Sequence, residues 1–205
     1  MNKQKILQNL DFLAKNDGNF PNEYNGFSTF GAETHKFALN PVILETAARD
    51  FENLHKIKLP QNYFYFITNI GNGGAGPGYG LYPLEDWSKE IVPSEPIPKN
   101  FLNTPFPHNK PWNTVLDVDN VSDEEYDKHY EEYFANAQIT GSLAISHYGC
   151  GIIYLLIVCG AETGKIWVDD RGSDYGIYPA EVNFETWYMT WLEDSVNKLK
   201  ERLGG

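Results

Sequence analysis

Residues 142–169 read SLAISHYGCGIIYLLIVCGAETGKIWVD, and this stretch decides the fold class. Its apolar and β-branched runs predict three successive strands, at 142–147, 152–159 and 165–169, because each run has strand length and is bounded by turn residues. The segment 160–164, Gly-Ala-Glu-Thr-Gly, has the length of a hairpin loop. We therefore expect a sheet that is mostly antiparallel.

Helical patterns lie on both sides of these strands in the sequence. Apolar residues recur at helical spacing in 6–13, in 43–54 and in 63–70, and again in 184–203 near the C-terminal end. Asn183 is expected to cap this closing helix. Helices first, an antiparallel sheet in the middle and a closing helix predict an α+β fold, with a central sheet flanked by helices.

The helix within 43–54 carries a more detailed prediction. Asn40 and Pro41 are expected to be its N-cap and first helical residue. Its buried stripe is expected to consist of Ile43, Ala47, Phe51 and Leu54.

Two segments between the helices and the sheet are expected to be extended. Residues 79–83 predict a short strand. Six prolines between 92 and 111 disfavour helix and central strand, so that stretch is expected to be a loop over the surface. The chain of 205 residues is expected to be one domain, with a core at about 41–192.

The composition excludes several classes of protein. Hydrophobic residues make up 41% of the chain, enough for a packed core, so global disorder is excluded. The formal net charge is −12, from 28 acidic and 16 basic side chains. Direct binding to duplex nucleic acid or to an anionic membrane is not expected, because those polyanions attract surfaces rich in Lys and Arg.

Cysteine content and hydropathy indicate the compartment. Cys150 and Cys159 are too few for a disulfide scaffold. The longest apolar run, 152–159, is far shorter than the roughly 20 residues of a membrane-spanning helix. The N-terminal residues lack the apolar core of a signal peptide. We expect a cytoplasmic protein.

The negative charge is concentrated in one short segment. Residues 117–134 contain eight acidic residues and one lysine, which is −7 of the net charge. Ser122 and Glu125 have the spacing of a capping box that starts a helix. Such a helix is often only a solvated face, but tyrosines beside carboxylates are also typical of binding surfaces. Its aromatic side chains are Tyr126, Tyr130, Tyr133 and Phe134.

A Gly-rich stretch, GNGGAG at 71–76, formally matches the dinucleotide-binding pattern. That pattern requires a strand before it and a helix after it, so that a pyrophosphate rests on the helix N-terminus. Here a predicted helix precedes and a predicted strand follows. We interpret the stretch as a turn whose glycines adopt positive φ angles.

Other patterns could indicate an enzyme, and each has a simpler interpretation. His147 and Cys150 could be a base and a thiol, but the sequence around Cys150 is typical of a tight bend that buries a small thiol. The five histidines lack the spacing of a metal site.

Two pairs of neighbouring carboxylates, Glu85-Asp86 and Asp169-Asp170, could serve in hydrolysis. Neighbours on a strand point to opposite faces, so neither pair alone aims both groups at one bond. Asp169, Asp170 and Arg171 are expected to form turn contacts and an ion pair. We therefore expect no enzymatic activity, no cofactor and no metal.

Two blocks of the sequence resemble the SUKH superfamily, the Smi/Knr-type domain. The first block is LPQNY at 59–63 followed by NGGAGPGYGLYPL at 72–84. The second is GSLAI at 141–145 and GCG at 149–151, then YLLIV at 154–158, GKIW at 164–167 and DDR at 169–171.

The resemblance implies an α+β fold with a mixed or antiparallel sheet and flanking helices. In bacteria, the family implies immunity proteins that bind and neutralise polymorphic toxins, often nucleases, whereas fungal members are cell-wall and signalling regulators. It implies no catalytic residues. The stretch at about 88–138 departs from the family and is interpreted as an insertion that carries most of the acidity.

We therefore expect an intracellular binding protein that neutralises a basic toxin by occlusion. The expected electrostatic contacts are Asp123, Glu124, Asp127, Glu131 and Glu132, with Tyr126 and Tyr130 as anchors. A second candidate surface consists of Glu85, Asp86 and Trp87. The alternatives are a scaffold or regulator of the Smi/Knr type with no toxin partner, and an enzyme acting on a small ligand in the Gly-rich cleft.

Overall fold

The computed structural model describes residues 1–21, 26–91, 97–114 and 121–204. Within these ranges the chain forms one α+β domain with six α-helices and a four-stranded sheet, as the sequence predicts. The helices are α1 (Lys3–Asn16), α2 (Ala32–His35), α3 (Glu45–His55), α4 (Gln61–Asn69), α5 (Asp123–Phe134) and α6 (Phe184–Gly204). The strands are β1 (Ser142–Gly149), β2 (Ile152–Ile157), β3 (Lys165–Asp170) and β4 (Gly176–Asn183).

The sheet is an antiparallel meander in the order β1-β2-β3-β4. The three predicted strands are confirmed, but β4 was not predicted. Its sequence contains Pro179 and reads poorly as a strand, because proline cannot donate to a central ladder. β4 tolerates the proline because it is an edge strand. Which strand lies at the edge is decided only when the sheet assembles.

Both faces of the sheet are covered. Trp167 on β3 is fully buried and packs against Phe106, with ring centroids 5.0 Å apart. On the opposite face, Tyr154 of β2 meets Trp187 of α6 at the same centroid distance, 5.0 Å. The sheet therefore separates a face covered by α6 from a face covered by the 97–114 segment.

Helices α1, α4 and α6 form the helical part of the core. The predicted N-terminal and C-terminal helices are confirmed, and Asn183 caps α6 by accepting a hydrogen bond from the Thr186 amide at 2.9 Å. Phe66 of α4 lies between Phe184 and Tyr188, at centroid distances of 5.4 and 4.8 Å. These aromatic contacts bring α4 and the Gly-rich turn that follows it onto α6.

The prediction for α3 is wrong in its start and in half of its buried stripe, since Ile43 and Phe51 do pack against the core but Ala47 and Leu54 do not. Asn40 does not cap α3, because its side chain donates to the Asn72 carbonyl and holds the chain against the Gly-rich turn. The helix begins at Glu45, and its buried residues are Ala48 and Glu52. Leu54 of the predicted stripe is 76% exposed, and Ala47 is exposed as well.

The two segments predicted to be extended also differ from expectation. Residues 79–83 form no regular strand: Leu81 makes single bridges to Gly74 and Ser146 beside β1. The described part of the proline segment is not a surface loop, because Phe101 and Leu102 are 1% exposed. Proline blocks regular backbone pairing but does not prevent neighbouring side chains from entering the core. Residues 92–96 lie outside the described ranges.

Glu52 supplies a buried charge at the end of α3. Its carboxylate accepts hydrogen bonds from Arg49 Nη1 at 2.8 Å, from Lys58 Nζ at 3.2 Å and from the Leu59 amide at 2.8 Å. Desolvation alone would raise the pKa of this carboxyl, but the three hydrogen bonds outweigh it and hold the pKa below its usual value of 4.5. The ionised carboxylate thus ties α3 to the segment that leads into α4.

We predict that Glu52→Gln destabilises the protein by about 1–3 kcal/mol at neutral pH, because hydrogen bonds to a buried charge are lost. A carboxyl whose pKa is lower in the folded state stabilises fully above its unfolded pKa, and that stabilisation is lost as the pH falls through the folded value. The difference between variant and parent in urea unfolding should therefore shrink below about pH 4. Glu45→Gln, an exposed change on the same helix, is the control, and an equal loss in both variants would contradict the prediction.

Candidate functional site

The acidic helix α5 starts where the sequence predicts. The Ser122 hydroxyl accepts a hydrogen bond from the Glu125 amide at 3.3 Å, and the Glu125 carboxylate accepts one from the Ser122 amide at 2.9 Å. This capping box satisfies donors that the first turn leaves open. The carboxylates of Asp123 and Glu124 also lie in the first turn, where they complement the helix dipole.

The other end of α5 is fixed by a buried arginine. Arg171 and Asp169 form the predicted ion pair, with Nε to Oδ1 at 2.7 Å and Nη2 to Oδ2 at 2.6 Å. The remaining nitrogen, Nη1, donates to the carbonyls of Tyr133 at 2.7 Å and Ala135 at 3.3 Å. Both members of the pair are nearly fully buried. The last turn of α5 is therefore tied directly to the end of β3.

Tyr133 is the aromatic side chain by which α5 packs on the domain. It is buried, its ring stacks on Trp112 at a centroid distance of 5.3 Å, and its hydroxyl donates to Asn113 Oδ1 at 2.8 Å. Since Tyr133 faces inward, it is unlike the other two tyrosines of the helix.

Tyr126 and Tyr130 face outward and are 43% and 53% exposed. Their ring centroids are 6.4 Å apart, and Tyr130 also contacts Phe134 at 4.7 Å. Residues four apart lie one above the other on a helix, so these three rings form a row along α5. We call this row the tyrosine row.

A line of carboxylates runs beside the tyrosine row. Asp123, Asp127 and Glu131 also recur every four residues, about 60° around the helix from the rings. All the predicted electrostatic contacts on α5 are exposed: Asp123, Glu124, Asp127, Glu131 and Glu132. Within the described ranges only Glu132 has an ion-pair partner, Lys128 at 3.9 Å. The acidic residues at 117 and 119 lie outside those ranges.

The second predicted surface, Glu85, Asp86 and Trp87, lies at a different place. Glu85 is exposed and accepts a hydrogen bond from the Asn72 side chain at 2.9 Å. Trp87 is half-buried between His55 and Phe101, with centroids 5.6 and 5.7 Å away. No hydrogen bond, ion pair or ring contact in the described part of the chain joins this surface to α5.

The Gly-rich stretch 71–76 is a turn, as the sequence predicts, and two of its four glycines have positive φ angles: Gly73 at +88° and Gly74 at +94°. Just after it, Gly78 has a φ of +64°, and a Cβ atom there would overlap the carbonyl of His147. The Tyr188 hydroxyl donates to the Ala75 carbonyl at 3.1 Å, and the Ser146 hydroxyl donates to the Pro77 carbonyl at 2.7 Å. The carbonyls of this turn therefore bind side chains of the core.

His147 lies near the end of β1, and Cys150 lies in the β1–β2 turn. The His147 ring stacks on Tyr79 and Tyr82, at centroid distances of 4.8 and 5.8 Å. Cys150 is exposed rather than buried as expected, and its φ is +50°. Across residues 1–21, 26–91, 97–114 and 121–204, no three His, Cys, Asp or Glu side chains gather as they would around a metal ion. In the same ranges none of the helices combines the length and apolar character needed to cross a bilayer.

The comparisons with known proteins identify the family. The family model described as SMI1 / KNR4 family (SUKH-1) matches residues 43–190. The chain belongs to this family. No curated protein and no solved structure matches it.

SUKH-1 membership suggests a protein partner. The matched residues include α3 to α5, all four strands and the first turns of α6, so the acidic helix lies within the matched stretch. The interpretation of residues 88–138 as an insertion relative to the family stays a prediction. The placement of the partner-binding residues also stays a prediction, because the family match names no binding residues.

Sequence reasoning missed one concave surface of this SUKH-1 domain. A groove of about 1240 Å³ lies between α6 and the sheet. Aromatic residues from distant parts of the sequence line it, among them Phe30, Tyr148 and Trp191. No local pattern connects residues so far apart in the sequence, and only the packing of α6 on the sheet brings them together.

We predict that Arg171→Met destabilises the domain by about 3–5 kcal/mol, because Asp169 is left buried without a partner charge. The double variant Asp169→Leu with Arg171→Met removes both charges and should lose less than the single variant. Urea unfolding of both variants and the parent measures the difference. A loss below about 1 kcal/mol in the single variant would show that the pair does not hold the fold.

Proposed function

We propose that this SUKH-1 domain is a non-enzymatic immunity protein that binds a basic toxin and occludes it with the exposed face of α5. The observation that carries the proposal is the pair of parallel lines on that helix. One line is the tyrosine row, and the other consists of carboxylates that have no ion-pair partner within the described residues. Together they provide contact area and charge on one surface.

The charge of α5 supports a basic partner. The helix contains six acidic residues and one lysine. Carboxylates that are not neutralised by their own chain project their field into solvent, and complementary potentials increase association rates by orders of magnitude. A nuclease toxin carries cationic groups for phosphate, so an acidic helix can occupy the same groups that bind the nucleic acid.

The tyrosine row supports a stable complex once the partner has arrived. Tyrosine buries a large rigid surface at a low cost in side-chain entropy, and tyrosines are enriched among residues that dominate binding energy. The two ends of α5 are fixed by the capping box and by Arg171. A surface held in place before binding loses less entropy when it binds.

The surface of Glu85, Asp86 and Trp87 is a weaker candidate for the principal contact. His55 and Phe101 cover part of the Trp87 ring, and Glu85 already accepts a hydrogen bond from Asn72. We propose that this surface takes a secondary part. The proposed compartment is the cytoplasm, where a toxin made by the same cell has to be neutralised.

The function is tested by growth rescue. The product of the adjacent upstream gene is expressed with and without this protein, and rescue together with a purified complex of the two proteins is the expected result. No rescue and no complex would contradict the immunity function. A lone gene with no toxin neighbour would instead favour the scaffold or regulator.

The triple variant Asp123→Lys, Asp127→Lys and Glu131→Lys reverses the charge of three side chains of α5. We predict that it slows association with the toxin by about tenfold or more, because the negative field that attracts a basic partner is lost. The dependence of the association rate on salt should become weaker as well. Stopped-flow or surface-binding kinetics at several salt concentrations measure both effects.

The matched control makes the same change in net charge elsewhere, with Asp11→Lys, Glu45→Lys and Asp50→Lys on α1 and α3. These residues are exposed. If the control slows association as much as the α5 variant, the total charge matters and α5 is not the contact surface.

We predict that Tyr126→Ala with Tyr130→Ala acts on dissociation rather than association. Losing two aromatic anchors should raise the dissociation rate by about tenfold or more, because desolvated aromatic contacts contribute most to affinity. Tyr175→Ala is the control, since Tyr175 is 70% exposed and lies outside α5. An unchanged dissociation rate in the double variant would exclude the tyrosine row as an anchor.

A further inference from the structure

The aromatic half of the groove between α6 and the sheet is a second candidate for binding. Its floor crosses three strands: Tyr154 on β2 pairs with Val168 on β3, which pairs with Tyr178 on β4. Directly paired residues in a sheet point to the same face, so a short side chain lies between two tyrosines. All three side chains line the groove, and Trp187 of α6 lies beside them with its ring centroid 5.0 Å from that of Tyr154.

The space above Val168 is a slot between two aromatic side chains. Neighbouring strands lie about 4.8 Å apart, so Tyr154 and Tyr178 start roughly 9.6 Å from each other. No ring contact joins these two tyrosines among the described residues. A planar group that stacks on both rings needs about 7–8 Å between them, which is twice the contact distance of two carbon atoms. We call the space bounded by Tyr154, Val168 and Tyr178 the aromatic slot.

A buried carboxylate lies next to the aromatic slot. Asp170 follows Val168 by two residues on β3, so its side chain points to the same face of the sheet. It is 5% exposed. Its Oδ2 accepts a hydrogen bond from the Tyr178 hydroxyl at 3.4 Å, whereas its Oδ1 has no hydrogen-bond partner. Burial and the charge of Asp170 raise the pKa of Tyr178, so the hydroxyl keeps its proton and remains a donor.

No ion pair within the described residues neutralises Asp170. The guanidinium of Arg171, the next residue, is bound to Asp169 on the opposite face of the sheet. Farther along the groove the charges offset one another, because two side chains are acidic and two are basic: Asp194, Glu201, Lys198 and Arg202. A buried carboxylate without a counter-charge costs free energy, and a cation bound beside it recovers part of that cost.

The shape of the aromatic slot favours a guanidinium over an ammonium. Aromatic faces attract cations, and the planar, weakly hydrated guanidinium of arginine stacks on rings better than the compact, strongly hydrated ammonium of lysine. The same contact occurs elsewhere in this domain, where the Arg49 guanidinium lies 4.0 Å from the centroid of the Phe64 ring. The groove volume of about 1240 Å³ exceeds the roughly 300–1,000 Å³ of sites for small ligands, so it can hold a chain segment that carries the arginine.

We propose that the aromatic slot binds an arginine side chain of a partner protein, with the guanidinium between Tyr154 and Tyr178 and with Asp170 as the counter-charge. The rest of the bound segment lies along the groove beside α6. No residue of α5 lines this groove. The inference therefore goes beyond the proposed function and does not rest on it.

The test uses three capped peptides, acetyl-Gly-Leu-X-Leu-Gly-amide, in which X is arginine, lysine or citrulline. Citrulline has the planar shape of arginine but no charge. Isothermal titration calorimetry with the full chain should show about tenfold tighter binding of the arginine peptide than of the citrulline peptide, because the cation contacts both the rings and the field of the carboxylate. The lysine peptide should also bind more weakly than the arginine peptide.

Variants of the slot and a matched control locate the binding. Asp170→Asn keeps the shape of the side chain and removes its charge, so it should lower the affinity for the arginine peptide by about tenfold. Asp194→Asn is the control, because it removes a negative charge from the α6 wall of the same groove and should leave the affinity unchanged. Tyr154→Leu should also reduce the preference for arginine over citrulline, and it provides the test if Asp170→Asn does not fold.

Several outcomes would overturn the proposal. These are no binding of the arginine peptide at about 1 mM, equal affinity for the arginine peptide and either of the others, and equal effects of Asp170→Asn and Asp194→Asn. Equally tight binding of ethylguanidinium would assign the slot to small cations and would overturn it as well. Growth rescue tests the acidic helix, whereas the peptide preference tests only the slot. If the peptides fail and rescue succeeds, the slot assignment is wrong and the immunity function stands.

Discussion

The buried pair of Arg171 and Asp169 is the interaction on which the acidic surface depends. A guanidinium with three occupied nitrogens joins the end of β3 to the last carbonyls of α5. Burying a charge is costly unless it is paired and hydrogen-bonded, so this arrangement permits essentially one position for the helix end. Without it, α5 would keep its capping box and Tyr133 contact but lose the fixed direction in which it presents the tyrosine row.

The net charge of −12 is a local property of this molecule rather than a uniform one. On α5 the carboxylates of Asp123, Asp127 and Glu131 lie beside exposed aromatic rings and have no ion-pair partner in the described part of the chain. Along the groove, by contrast, Lys198 and Arg202 of α6 lie beside Asp194 and Glu201. The same domain thus presents one acidic surface and one aromatic groove whose charged side chains balance. The sheet supports both, because α6 covers one of its faces and, on the other, Trp167 contacts His108, which stacks on Trp112 beneath Tyr133 of α5.

Local patterns predicted the elements whose stabilisation is local. The strands β1 to β3, the capping box of Ser122 and Glu125, and the Asn183 cap are encoded within a few residues of themselves. The same holds for the part of the site on α5, since its tyrosines and carboxylates are neighbours in sequence. Errors arose where distant contacts decide. Ala48, a small residue, faces the core in place of Leu54, because Glu52 ties that side of α3 to the segment before α4.

By itself the sequence determined the α+β class, the strand-forming core, the position of the acidic helix and the concentration of charge on it. These follow from periodicity, capping residues and composition, which act over short distances along the chain. Only the tertiary structure decided that Tyr133 faces inward while Tyr126 and Tyr130 face outward, that β4 completes the sheet, and that a groove forms beside α6. Each of those features depends on residues far apart in sequence. The contacts that stabilise it form only when the folded chain brings those residues together.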